Sequence, residues 1–94
     1  MKLSQSMLGN TNRAMWGKAR RVEVRRLDLY LIATGARIRA VRLERDISLA
    51  ELAAAIGGHP TTVHKIETGK RNASVRTIAR IALALDVSPS ELMP

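Results

Sequence analysis

Thr61, His64 and Lys65 fall within one short segment, Pro60 to Thr68, and Lys70, Arg71 and Asn72 follow it directly. Such a set offers a hydroxyl, an imidazole, an amide and three cationic side chains. Its chemistry is recognition of a polyanion by charge and hydrogen bonds. Nothing comparable points to catalysis. The chain has no cysteine, so neither a thiolate nucleophile nor a thiolate metal site is available. His59 and His64 are five residues apart and do not share a helix face, and no third ligand lies near them, so no metal is expected. Ser48 and Ser74 each precede a helical pattern and read as N-caps, not nucleophiles. The expectation is a protein that is not an enzyme and takes no cofactor.

The elements that must hold these side chains can be read from periodicity and punctuation. Ser48 with Glu51 three residues later has the form of a capping box. It opens a helix, Leu49 to Ile56, rich in alanine and with Leu52 and Ile56 on its apolar side. Gly57-Gly58 stops that helix, and Pro60 suits the first position of the next, where its missing N–H costs nothing. His59 then stands at the N-cap, a position it does not favour. Val63 and Ile66, three apart, give the second helix its inward side. Pro60, Thr61, His64 and Lys65 are left on the opposite side, and Gly69 ends the helix. Helices of this length do not stand alone in water and need packing. Ser74 caps a helix over Val75 to Leu85, with Val75, Ile78, Ile81, Ala82 and Leu85 inward. Ser88-Pro89-Ser90-Glu91 starts a last short turn that carries Leu92.

Upstream, Thr34 to Arg45 reads as a helix with Ile38 and Val41 inward. Residues 21–33 fit two periods. Val22, Val24, Leu27, Leu29 and Leu31 alternate as a strand would. Leu27, Leu31, Thr34, Ile38, Val41 and Arg45 step as one helical face would. The helix is the favoured reading, although Gly35 interrupts it at a cost of about 1 kcal/mol. Residues 1–20 show no period and read as a flexible basic arm.

Bulk composition agrees with a helical domain. Ninety-four residues make room for one core. Hydrophobic residues are 46% of the chain, which argues against wholesale disorder. Phe is absent, and Trp16 and Tyr30 are the only aromatics, so the core must come from Leu, Ile, Val and Ala. That favours helix on helix over a sheet sandwich. The net charge of +8 fits a polyanionic partner. Residues 1–33 hold seven basic and two acidic residues, a net of +5, and residues 34–94 hold nine and six, a net of +3. We therefore divide the chain into a basic N-terminal arm, 1–33, partly helical near 22–33, and a domain, 34–94. No signal peptide or membrane span is evident, so a cytoplasmic location without a membrane partner is expected.

The stretch SLAELAAAIGGHPTTVHKIETGKRNAS resembles the phage-repressor and Cro group, the xenobiotic-response-element (XRE) helix-turn-helix family. The likeness runs from about Gly35 to Leu92. It rests on Leu52-Ala53, Ile56-Gly57, Val63, Ile66-Glu67, Gly69-Lys70 and the aliphatic helix around Ile78–Leu85. It implies an all-α, five-helix, lambda-repressor-like DNA-binding domain with a basic N-terminal extension. By position it places Pro60, Thr61, His64 and Lys65 against base edges in the major groove of double-stranded DNA. It places Ser48, Leu49, Thr62, Lys70, Arg71 and Asn72 against phosphates. Arg42 and Glu67 match a pair that in relatives forms a partly buried ion pair between the first and third helices. Three departures stand out. Leu49 occupies a position where many relatives carry a phosphate-clamping Gln, although the backbone N–H groups there remain. Gly58 replaces an aliphatic residue. Pro60 brings no donor to a position that often reads a base.

The implied function is sequence-specific transcription regulation, as a repressor and as a homodimer on a two-fold site. Val87, Leu92 and Met93 are the expected dimer surface, with residues 20–33 as a substitute or extension. The alternative is an antitoxin or other protein-binding module. Its N-terminal segment, with Leu27, Leu29 and Leu31, would then hold a protein partner such as a toxin or regulator.

Overall fold

The computed structural model describes the backbone of residues 13–94 and the side chains of residues 26–94. The first 12 residues of the expected arm lie outside the described residues. The order is α1 (Arg13–Glu44), α2 (Leu49–Ala55), α3 (Pro60–Glu67), α4 (Val75–Leu85) and α5 (Pro89–Leu92). All regular structure among the described residues is helical.

The first helix departs most from expectation. It is continuous over 32 residues, a length of about 48 Å at 1.5 Å per residue. Residues 13–20, read as part of an aperiodic arm, belong to it, and the strand-like alternation near residues 22–31 is not realised. No break falls at residue 33 or at Gly35. The expected face is only partly correct. Ile38 is fully buried and Leu31, Thr34 and Val41 are half-buried, but Leu27 and Arg45 are exposed. The buried line is Gly35, Ile38 and Arg42, an eight-residue stretch beneath which the other helices sit.

Four helix ends close in one way. Asp46, Gly57, Gly69 and Asp86 all have φ between 57° and 74°. In each case the next residue's amide reaches back five positions, as in Ile47 N–H to the Arg42 carbonyl (3.1 Å) and Lys70 N–H to the Lys65 carbonyl (2.9 Å). This left-handed closure satisfies carbonyls that the helix end would otherwise orphan. Glycine takes it without strain at residues 57 and 69, and aspartate tolerates it at 46 and 86.

The core gathers Ile38, Leu52, Ala53, Val63, Ile66, Ile78, Ile81, Ala82, Leu85 and Leu92. α1 packs on α3, α4 and α5, and α2 on α3 and α4. Two sequence expectations fail here. Val75 is 81% exposed because the first turn of α4 overhangs the core, which begins at Ile78. Leu92, expected on a dimer surface, is fully buried within its own chain. The short C-terminal helix is held in place by inserting its one large side chain into the core.

Candidate nucleic-acid interface

The site is built from two short helices and the loops at their ends. Ser48 Oγ accepts the Glu51 N–H (3.0 Å), and Glu51 Oε1 accepts the Ser48 N–H (3.1 Å). This reciprocal pair fixes where α2 starts. Hydrogen bonding of the Glu51 carboxylate by the Ser48 backbone N–H, and secondarily by the Ser48 side chain, holds that carboxyl below the usual carboxylate range. α3 starts at Pro60 without a side-chain cap on His59.

Burial then sorts the residues of α3. Val63 is fully buried, Ile66 is 4% exposed and Glu67 6% exposed. Pro60, Thr61, His64 and Lys65 are exposed, and Thr62 is half-buried at the edge. Thr61 and Lys65, four apart, therefore stand next to each other on the outer side. Lys70, Arg71 and Asn72 are exposed as well. The Lys70 and Arg71 amides both donate to the Lys65 carbonyl, at 2.9 and 3.2 Å. The basic loop is thereby fastened to the end of α3. Ser48 is exposed, and Leu49 is half-buried against the core.

Arg42 and Glu67 meet inside. Arg42 Nε donates to Glu67 Oε2 at 2.6 Å, Nη2 to Oε1 at 3.0 Å, and Nη1 to the Ile47 carbonyl at 2.8 Å. The two side chains are 8% and 2% exposed. Hydrogen bonding to the Glu67 carboxylate raises the Arg42 pKa further, while burial opposes that rise. With both carboxylate oxygens engaged, the pair ties α1 to the last turn of α3 and to the α1–α2 loop.

Gly35 has a role that sequence reading treated only as a helix penalty. A Cβ there would fall 2.6 Å from the Glu67 carbonyl oxygen and strike the Ile66 carbonyl as well. Glycine lets α1 lie directly against the C-terminal end of α3. The signal was present in the spacing, since Gly35, Ile38 and Arg42 share one helical face. Thus α1 sets the position of α3 by steric fit at Gly35 and by charge at Arg42.

A two-helix unit with a buried inner face, an exposed polar outer face and a basic loop at its end is a helix-turn-helix. The helix-turn-helix family model matches residues 38–92, and the chain belongs to that XRE-type family of DNA-binding transcriptional regulators. Among solved structures it is similar to the restriction-modification controller protein C.AhdI from Aeromonas hydrophila. Identity is 37%, coverage is 66% of this chain and 94% of that one, and the TM-score is 0.64. It is also similar to the clp gene regulator ClgR from C. glutamicum, with 28% identity, coverage of 67% and 82%, and a TM-score of 0.65. No curated protein matches the chain. Among the described residues, no helix is long and apolar enough to cross a membrane.

Proposed function

We propose that the chain is a sequence-specific repressor that inserts α3 into the major groove of double-stranded DNA. The observation that carries this reading is the division of α3, with Val63 and Ile66 buried and Thr61 and Lys65 exposed together. Lys65 is positioned to donate to guanine O6 and N7, and the Thr61 methyl to pack on a thymine methyl. Pro60 and His64 border the same base edges. Ser48, Leu49, Thr62, Lys70, Arg71 and Asn72 contact phosphates, Leu49 through its backbone N–H, and set the register. Arg42 and Glu67 hold the frame and do not read DNA.

In this proposal the protein acts in the cytoplasm as a homodimer, with half-sites about 34 Å apart. Its interface draws on Met93, which is 52% exposed, and half-buried Val87. Residues 1–33 act as a basic arm appended to the reading domain 34–94. The decisive experiment is titration of the protein against its own promoter and against an unrelated duplex in rising salt. The proposal expects a preference for the promoter that survives to physiological salt. Equal affinity for both duplexes at every salt concentration would contradict it.

A second reading is favoured by Leu27, Leu29, Tyr30 and Ile32, which are 53–66% exposed on successive sides of α1. A helix apolar all round is normally covered. In this reading the N-terminal segment holds a protein partner, as an antitoxin does. Co-purification with a neighbouring gene's product, lost on removal of residues 1–33, is its expected sign.

A further inference from the structure

A hollow of about 650 Å³ lies between α1 and the edge of α3 that carries His64 and Thr68. Ala36, Arg39, Ala40 and Leu43 line it from α1, the Arg42–Glu67 pair, its carboxylate neutralised by Arg42, borders it on the inner side, and Leu49 closes it at the start of α2. Resting on the proposed insertion of α3, we infer that this hollow receives a DNA-backbone phosphate and that Arg39 is the side chain that binds it. Arg39 is outside the set of contacts proposed above.

Three observations converge on this assignment. The hollow adjoins the outer side of α3, since His64 and Thr68 are both exposed and both line it. When α3 enters a groove, the strand that borders the groove must pass beside that edge. The α1 wall is low at Ala36 and Ala40, four apart, whose methyl groups leave room for the passing strand beside Arg39. Finally, the neighbouring arginines of α1 are committed elsewhere. Arg37 Nε donates to the Glu91 carbonyl at 2.9 Å, and Arg42 is held by Glu67 and Ile47. Arg39 lines the hollow and is exposed, and the ion pair among the described residues is Arg42 with Glu67. A planar guanidinium with several donors suits a phosphate. The contact is blind to sequence, since phosphate carries none.

The test uses the full chain and the duplex that the wild-type protein enriches from a randomised pool, with an unrelated duplex beside it. Arg39→Gln should unfold at the wild-type temperature, because the side chain is exposed. It should weaken binding to both duplexes by the same factor and leave their ratio unchanged. Its salt slope should be shallower by about 1. The wild-type advantage over the variant should therefore shrink about fourfold between 50 and 200 mM salt. Arg39→Lys should restore most of the slope. Replacing single phosphates by neutral methylphosphonates should reveal one position that weakens the wild type and leaves Arg39→Gln unaffected. An unchanged slope in Arg39→Gln, or a loss confined to the enriched duplex, would overturn the assignment while leaving α3 insertion intact. Failure of the wild type to enrich any duplex would instead overturn the function on which the assignment rests.

Discussion

Two stretches of one helix behave as different kinds of surface. Between residues 35 and 42, α1 is fitted to α3 by a glycine, a buried isoleucine and a doubly hydrogen-bonded ion pair. Between residues 27 and 32 the same helix carries Leu27, Leu29, Tyr30 and Ile32, all more than half exposed. The first stretch spends few apolar atoms and makes a fixed joint. The second has many apolar atoms and leaves them in water. Hydrophobicity alone therefore does not say which part of a helix organises a domain. Shape at Gly35 and charge at Arg42 decide it here.

The largest effect should come from breaking the fixed joint. Arg42→Ala leaves Glu67 as a buried, unpaired carboxylate and should cost about 3–5 kcal/mol in denaturant unfolding. A loss below about 1 kcal/mol would mean that the pair is open to water. Gly35→Ala comes next. Its methyl meets backbone carbonyls that cannot step aside as a flexible side chain would, so about 1–3 kcal/mol should be lost. The usual helix preference for alanine would raise stability instead, so the sign of the change discriminates.

The capping pair on α2 sharpens the contrast between buried and exposed polar contacts. Ser48→Ala should cost about 1 kcal/mol, well below the loss at Arg42. Glu51 adds a pH dependence. Its folded pKa lies below the ordinary one, so its stabilisation is complete above the ordinary carboxylate range. That stabilisation fades as pH falls through the lowered value. Thermal unfolding of Glu51→Gln and wild type should therefore differ at neutral pH and converge in acid. A gap that stays constant with pH would contradict this.

The smallest folding effect should come from the exposed stretch. Leu29→Ser with Tyr30→Ser should change the stability of the dilute protein by no more than about 0.5 kcal/mol per site. Sedimentation at higher concentration, or with a partner, should change clearly if these side chains are an interface. A large folding loss would show that the stretch belongs to the core after all.

Much of this molecule was legible in the sequence. Alanine-rich α2, Pro60 at the start of α3, and Ser74 before α4 mark elements whose bounds agree with the structure to within one residue. Val63 and Ile66 declared the inner face of α3 by spacing alone. The misreadings have local causes. Residues 13–20 lack an apolar period, so nothing in them signalled the continuation of α1. Gly35 looked like a defect because its contact is with a helix some thirty residues away. Val75 has the right spacing for the α4 core face but stands one turn beyond where the core begins. Leu92 looked available because a four-residue helix gives no period from which to infer burial. Exposure of Thr61 and Lys65 followed from the burial of their neighbours, whereas the hollow beside Arg39 depends on how three helices meet and leaves no mark in any one segment.

The most direct measurement compares Lys65→Ala with Arg71→Ala on the enriched duplex and on an unrelated one. If α3 reads bases, Lys65→Ala should cost about 1–3 kcal/mol on the enriched duplex alone, and Arg71→Ala should weaken both alike. Equal losses on both duplexes for Lys65→Ala, in a protein that still folds, would contradict the claim that α3 carries the specificity.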